Sequence, residues 1–199
     1  GMNLKDTNFI LASESEYRRK LLSDYGLDCS GMSPDFDEEA YKTNGLSPFD
    51  LCEKLGYLKA ESLKAKNPDA VIIGADQLVN FNGAILGKAG TLEKAAEQLL
   101  LLSGKSHELV TSLTVFHKQK SQTRTVITKM HMRSLNRAQA LSFVAKDKAW
   151  DCAGSYKLEL SGIALFSKIE TEDHSAIIGL PLISLTQILL DFGFELPFY

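Results

Sequence analysis

Asn67-Pro68-Asp69-Ala70-Val71-Ile72-Ile73-Gly74-Ala75-Asp76 carries the clearest signal of architecture in the chain. Pro68 and Asp69 make a turn, Ala70 to Ile73 is an unbroken apolar run of strand length, and Gly74 lets the chain leave it. A run without polar alternation belongs to a strand covered on both faces, as inside an open sheet flanked by helices. Ligands of such sheets gather at the carboxyl ends of the strands. The reading therefore places Asp76 at such an end, as a general base, a metal ligand or a turn-capping aspartate.

Downstream, Leu78-Val79 and Ala84-Ile85-Leu86 flank Asn82-Gly83, a dipeptide suited to positive φ, and predict a hairpin that folds Lys88 back towards the strand of Asp76. Upstream, Phe9-Ile10-Leu11 reads as a second short buried strand. It runs through Ser13-Glu14-Ser15 into a helix whose Tyr17, Leu21, Leu22 and Tyr25 recur at helical spacing. Arg18 and Arg19 fall in the first turn of that helix, where cations oppose the macrodipole. Alone, the pair reads as solvated; with a phosphate on the free N–H groups of the helix start, the sign reverses.

Further helices are predicted after Ser47, with Pro48 in the first turn and Asp50 at the capping-box position, carrying Leu51, Cys52, Leu55, Leu58 and Lys59. Others follow Thr91, burying Ala95, Ala96, Leu99 and Leu102, and Asn136, and a last one runs from Leu182 to Phe192 before Gly193. Strands are expected near 108–116 and 123–132, across a turn at 118–122, and near 163–169 and 175–178. Strands interleaved with helices give an α/β class.

With 199 residues, 44% hydrophobic and 24% charged, the chain is long enough for one well-buried core or for two lobes of it. The formal charge of −3 and the lack of a basic tract argue against binding a nucleic-acid polymer. No apolar run approaches the roughly 18 residues of a membrane span. Gly1 ahead of Met2 reads as a residue left from expression. Cys29, Cys52 and Cys152 show no C-x-x-C spacing and read as reduced thiols of a cytoplasmic protein. The four histidines show no metal-ligand spacing, and a polar cap or strand-edge role is expected for His107.

Read in order, these blocks resemble the Maf family of nucleotide pyrophosphatases over almost the whole chain. The resemblance rests on Ser13 to Arg19, Asp37-Glu38, Lys59, Gly74 to Asp76, Leu86 to Lys88, Ser103 to Thr111, Ala153 to Tyr156 and Gly179 to Pro181. Glu16 and Ala89 stand where the family pattern has proline. The resemblance implies a single domain over 1–199 with an inosine-triphosphatase-like fold, a mixed sheet with flanking helices in two lobes around a central cleft, and a homodimer.

It also implies hydrolysis of a nucleoside triphosphate to the monophosphate and pyrophosphate. Asp76 would activate water, Glu38 and Asp76 would hold Mg²⁺ or Mn²⁺, and Ser13, Arg18, Arg19, Lys59 and Lys88 would bind phosphates. Four cations match the roughly four negative charges of a triphosphate. At Tyr17, Gln77 and Glu159 the chain departs from the branch acting on dTTP and UTP and resembles the bacterial branch acting on 7-methyl-GTP. A cationic purine favours an aromatic face and a carboxylate. A dTTP/UTP pyrophosphatase, a nucleotide-binding regulator of septum formation and a protein for another phosphorylated metabolite are the alternatives.

Overall fold

The computed structural model describes residues 4–42 and 45–198. Gly1, read as an expression remnant, lies outside the described residues. In chain order the elements are β1 (Phe9–Leu11), α1 (Glu16–Tyr25), β2 (Cys29–Gly31), α2 (Glu39–Lys42), α3 (Pro48–Glu61), β3 (Val71–Phe81) and β4 (Ala84–Leu86). Then come α4 (Leu92–Leu102), β5 (Ser106–His117), β6 (Lys120–Met132), α5 (Arg137–Asp147), β7 (Phe166–Glu170), α6 (His174–Ile177) and α7 (Leu182–Asp191). The strands form one mixed sheet in the order β2-β1-β3-β5-β6-β7, with β4 on β3. β1 pairs in parallel with β2 and β3, while β3 with β4 and β6 with β7 are antiparallel.

The chain divides into two compact units. One comprises the chain as far as Asp76, Thr111–Thr125 and the chain from Gly179 onward; the other comprises Gln77–Val110 and Val126–Ile178. In the first unit both sheet faces are covered. Phe9, Leu11, Val71, Ile73 and Ala75 pack with Leu22 of α1 and Leu185, Ile188 and Leu189 of α7. Ile10 and Ile72, pointing the other way, pack with Ala60 and Leu63 at the end of α3. Double coverage is why Ala70 to Ile73 shows no alternation. In the second unit Val79, Leu109, Met130, Met132 and Phe166 pack under Ala95, Ala96, Leu99 and Leu102 of α4 and Ala140 and Val144 of α5.

Helix starts follow the predicted caps: the side chains of Ser15, Ser47, Thr91 and Asn136 accept from backbone N–H groups, and Gln139 completes a capping box with Asn136. Asn82 and Gly83 take φ of 51° and 89° in the β3-β4 turn, as the dipeptide requires. Four expectations change. β3 does not end at Gly74 but runs on to Phe81, so Asp76 lies within the strand. What ends at that level is β1, whose last pair is Leu11 with Ile73. The β5-β6 turn is shorter than 118–122, with Lys118 at φ 56°. Residues 175–178 are largely the short helix α6, because Asp173 caps it by accepting from the Ser175 N–H. β7 begins only at Phe166, since Ser161–Leu165 forms a 3-10 helix. β2 and α2 carry too little apolar pattern to be anticipated.

Candidate active site

The turn after β1 builds the start of α1. The Ser15 N–H donates to Ser13 Oγ at 3.1 Å and Ser15 Oγ accepts from the Arg18 N–H at 3.2 Å. The Ser13 hydroxyl hydrogen can still be donated to a ligand. Each arginine rests on a glycine. A Cβ on Gly179, at φ +101°, would lie 3.3 Å from Nε and Nη2 of Arg18. One on Gly31 would lie 2.9 Å from Cδ of Arg19 and from the Ser13 carbonyl oxygen. Burial lowers the Arg18 pKa, and the negative charge of Asp76 opposes that shift. Arg19 and Tyr17 are exposed.

α3 approaches β3 closely because β3 carries Gly74 at the contact. A Cβ on Gly74 would collide with the Gly56 carbonyl oxygen and lie 2.7 Å from the Ala60 nitrogen. This approach puts Lys59 Nζ 2.7 Å from Asp76 Oδ1. Asp76 is 8% exposed, and its carboxyl pKa is raised. Burial is the main cause, Lys59 and Arg18 oppose it, and the charge of Glu38 adds to it. A carboxylate with raised proton affinity, still ion-paired, is better suited to accept a proton than an exposed one. Lys42, which the sequence did not single out, is hydrogen-bonded to Glu39 at 2.9 Å, and Glu38 and Asp76 help to raise its pKa. The first unit thus gathers Arg18, Glu38, Lys42 and Lys59 electrostatically around Asp76. No group of three or more His, Cys, Asp or Glu residues forms a metal-ligand cluster among the described residues.

In the second unit, Gln77 Nε2 donates to the carbonyls of Ala176 and Ile177 at 3.0 and 3.1 Å, which fixes the amide. Leu86 lies opposite Val79 in the hairpin, and Lys88 forms an isolated bridge with Ala153. Lys88 and Glu159 both act on the Cys152 thiol: burial raises its pKa, Lys157 and Lys88 lower it, and Glu159 raises it. The Ala153 to Tyr156 block turns tightly, with Gly154 and Ser155 at φ 77° and 67°. Ser155 Oγ donates to Gln98 Oε1 at 2.7 Å and Tyr156 Oη lies 2.8 Å from His107 Nε2. His107 is therefore a buried anchor of this turn, not a strand-edge group.

No helix among the described residues is long and apolar enough to cross a membrane. The chain is 52% identical over 180 residues to the 7-methyl-GTP pyrophosphatase of Bdellovibrio bacteriovorus, covering 90% of this chain and 94% of that one. It is 39% identical to the protein of the same name from Pseudomonas aeruginosa, covering 96% and 99%. It is 38% identical to that of Xanthomonas axonopodis pv. citri, covering 94% and 98%. The structure of the Staphylococcus aureus Ham1 protein superposes with a TM-score of 0.52 at 16% identity, covering 94% of this chain and 99% of that one, a likeness of fold. The Maf-like protein model matches residues 8–192, and with relatives at this identity over nearly their full lengths the chain belongs to the Maf-like protein family.

Proposed function

We propose that the chain hydrolyses nucleoside triphosphates between the α and β phosphates, releasing a nucleoside monophosphate and pyrophosphate, with 7-methyl-GTP preferred. The observation that carries this reading is the buried Asp76, ion-paired to Lys59 within the fields of Arg18 and Glu38. Asp76 takes a proton from water as its oxygen attacks the α phosphorus, and the bond from that phosphorus to the bridging oxygen breaks as pyrophosphate leaves. Arg18, Arg19, Lys59 and Lys88 neutralise phosphate charge, and Ser13 donates its hydroxyl to a phosphate oxygen.

The donor set fits a hard divalent cation. Glu38 raises the proton affinity of Asp76, so the two carboxylates repel each other in the protein alone, and an oxygen-seeking ion relieves that repulsion. Glu38 and Asp76 would hold Mg²⁺ or Mn²⁺, which supplies charge neutralisation on phosphate oxygens. Tyr17, Gln77 and Glu159 are assigned to the base. The preference for 7-methyl-GTP is supported by the names of the relatives and by Glu159, a carboxylate suited to a cationic purine. A homodimer working in the cytoplasm with its thiols reduced belongs to the same proposal.

The test is pyrophosphate release from 7-methyl-GTP, GTP, UTP and dTTP, with and without Mg²⁺ or Mn²⁺. Release from 7-methyl-GTP with the highest kcat/KM supports the reading, and no release from any nucleotide rejects it.

A further inference from the structure

Next to Asp76 lies a run of polar groups, buried at Cys52 and Ser112 and half-buried at Thr125 and Glu53. Cys52 of α3, fully buried, donates its S–H to the Asp76 carbonyl oxygen at 3.4 Å. Ser112 of β5, also fully buried, bonds the Cys52 sulfur. Ser112 Oγ lies 2.7 Å from Thr125 Oγ1 of β6, and Thr125 Oγ1 donates to Glu53 Oε2 at 2.7 Å. Glu53 follows Cys52 in α3, so the run starts and ends on one helix turn.

The hydrogens can be ordered. An ionised carboxylate only accepts, so the Thr125 hydrogen goes to Glu53 and the Ser112 hydrogen to Thr125. That leaves the Ser112 backbone N–H as the donor to sulfur and the Cys52 S–H for the Asp76 carbonyl. Glu53 thereby sets the direction of the two hydroxyl bonds, and the backbone groups fix the other two. Gly56 sits at this contact, where a Cβ would lie in ordinary van der Waals contact, 3.5 Å from Ser112 Cβ and 3.6 Å from the Asp76 nitrogen.

The geometry points to Glu53, Thr125, Ser112 and Cys52 as positioning residues that hold the backbone at Asp76 while Lys59 holds its carboxylate. The inference rests on the pyrophosphatase reading of Asp76. A general base must be held to a fraction of an ångström, and a hydrogen-bonded network buried at its Cys52 and Ser112 end gives that rigidity.

The test uses Thr125→Val, Thr125→Ser, Glu53→Gln and the Thr125→Val/Glu53→Gln double variant. It reads kcat and KM for 7-methyl-GTP and, without nucleotide, hydrogen exchange at the Asp76 and Gln77 amides by NMR. Thr125→Val and Glu53→Gln should each lower kcat by about three- to tenfold with KM within about twofold, and Thr125→Ser should restore it. The double variant should lose no more than the worse single one, because both cut one network. Exchange at the two amides should quicken about tenfold in Thr125→Val while β1 stays protected. Unchanged kcat with unchanged exchange, additive losses, or an effect on KM alone overturns the inference. If the unaltered protein hydrolyses no nucleotide, the pyrophosphatase reading falls, and unchanged exchange then overturns the positioning role separately.

Discussion

Lys59 Nζ and Asp76 Oδ1 form an ion pair of 2.7 Å whose side chains are only 14% and 11% exposed. Such a pair adds little net stability, because desolvation offsets most of the attraction, yet removing one partner strands the other. Its value is geometric. Cys52 and Lys59 are seven residues apart, two turns on one face of α3, with Gly56 between them where the helix meets β3. One helix face thus meets Asp76 at both its carbonyl and its carboxylate.

Asp76→Asn should lower kcat/KM for every hydrolysed nucleotide by about a thousandfold or more, because the amide neither accepts a proton nor binds a cation strongly. The fold should persist, since β3 is held by Val71, Ile73 and Ala75. In the unaltered protein the acid limb of kcat/KM should lie above the ordinary carboxylate value of 3.8, burial being the main cause. Near-normal turnover by the variant, with circular dichroism confirming its fold, would reject Asp76 as base or ligand.

Local chemistry made much of this legible. Caps at Ser15, Ser47, Thr91 and Asn136, the turn at Asn82-Gly83 and the doubly buried strands each have a signal within a few residues of the element. Gly74 misled, because a glycine that ends a strand and one that admits a helix look alike in sequence. The second role appears only when Gly56 and Ala60 are placed against it. Asp173 likewise turned residues that read as strand into helix by capping α6. Lys42 and the Glu53-Thr125-Ser112-Cys52 run depend on contacts across the sheet, for which no spacing rule exists. For Glu38 and Lys59 the sequence itself was mute, and family resemblance singled them out.

Gly179→Ala should disturb phosphate binding indirectly. The residue sits at φ +101°, where a side chain is strained, and the new Cβ would press on the Arg18 guanidinium from 3.3 Å. A stability loss of about 1 to 2 kcal/mol is expected, read by urea unfolding. KM should rise for 7-methyl-GTP, GTP and UTP in similar proportion, as it should for Arg18→Ala, because the guanidinium is assigned to the shared phosphates. A loss confined to one base would contradict that assignment.

His107 should make folding sensitive to acid. Burial lowers its pKa from 6.5 to about 4, so on acidification the unfolded chain takes up the proton first. The stability this neutral histidine contributes is present above pH 6.5 and drains away as pH falls towards 4, by about 3 kcal/mol at most. His107→Phe should flatten the pH dependence over that window, although stranding the Tyr156 hydroxyl lowers stability at pH 7. Urea midpoints from pH 7 to 4 check this, and parallel curves for the two proteins would exclude His107 as the source.

Glu159→Gln should narrow the preference for 7-methyl-GTP without abolishing hydrolysis. Methylation at N7 gives the purine a positive charge, and the N1–H and N2–H₂ edge offers paired donors, so a carboxylate gains charge-assisted hydrogen bonds there. Against uracil or thymine the same carboxylate meets carbonyl acceptors and is left partly unpaired, a mismatch of about 1 to 3 kcal/mol, or roughly tenfold to a hundredfold in kcat/KM. Glutamine keeps the shape, removes the charge and can donate to a carbonyl, so it should cost 7-methyl-GTP most and favour UTP relative to it. Lys88→Ala separates charge from base, because its effect should fall on all nucleotides alike. An unaltered protein that turned over UTP or dTTP as efficiently as 7-methyl-GTP would remove Glu159 from base selection, yet leave Asp76 and the phosphate-binding cations in their roles.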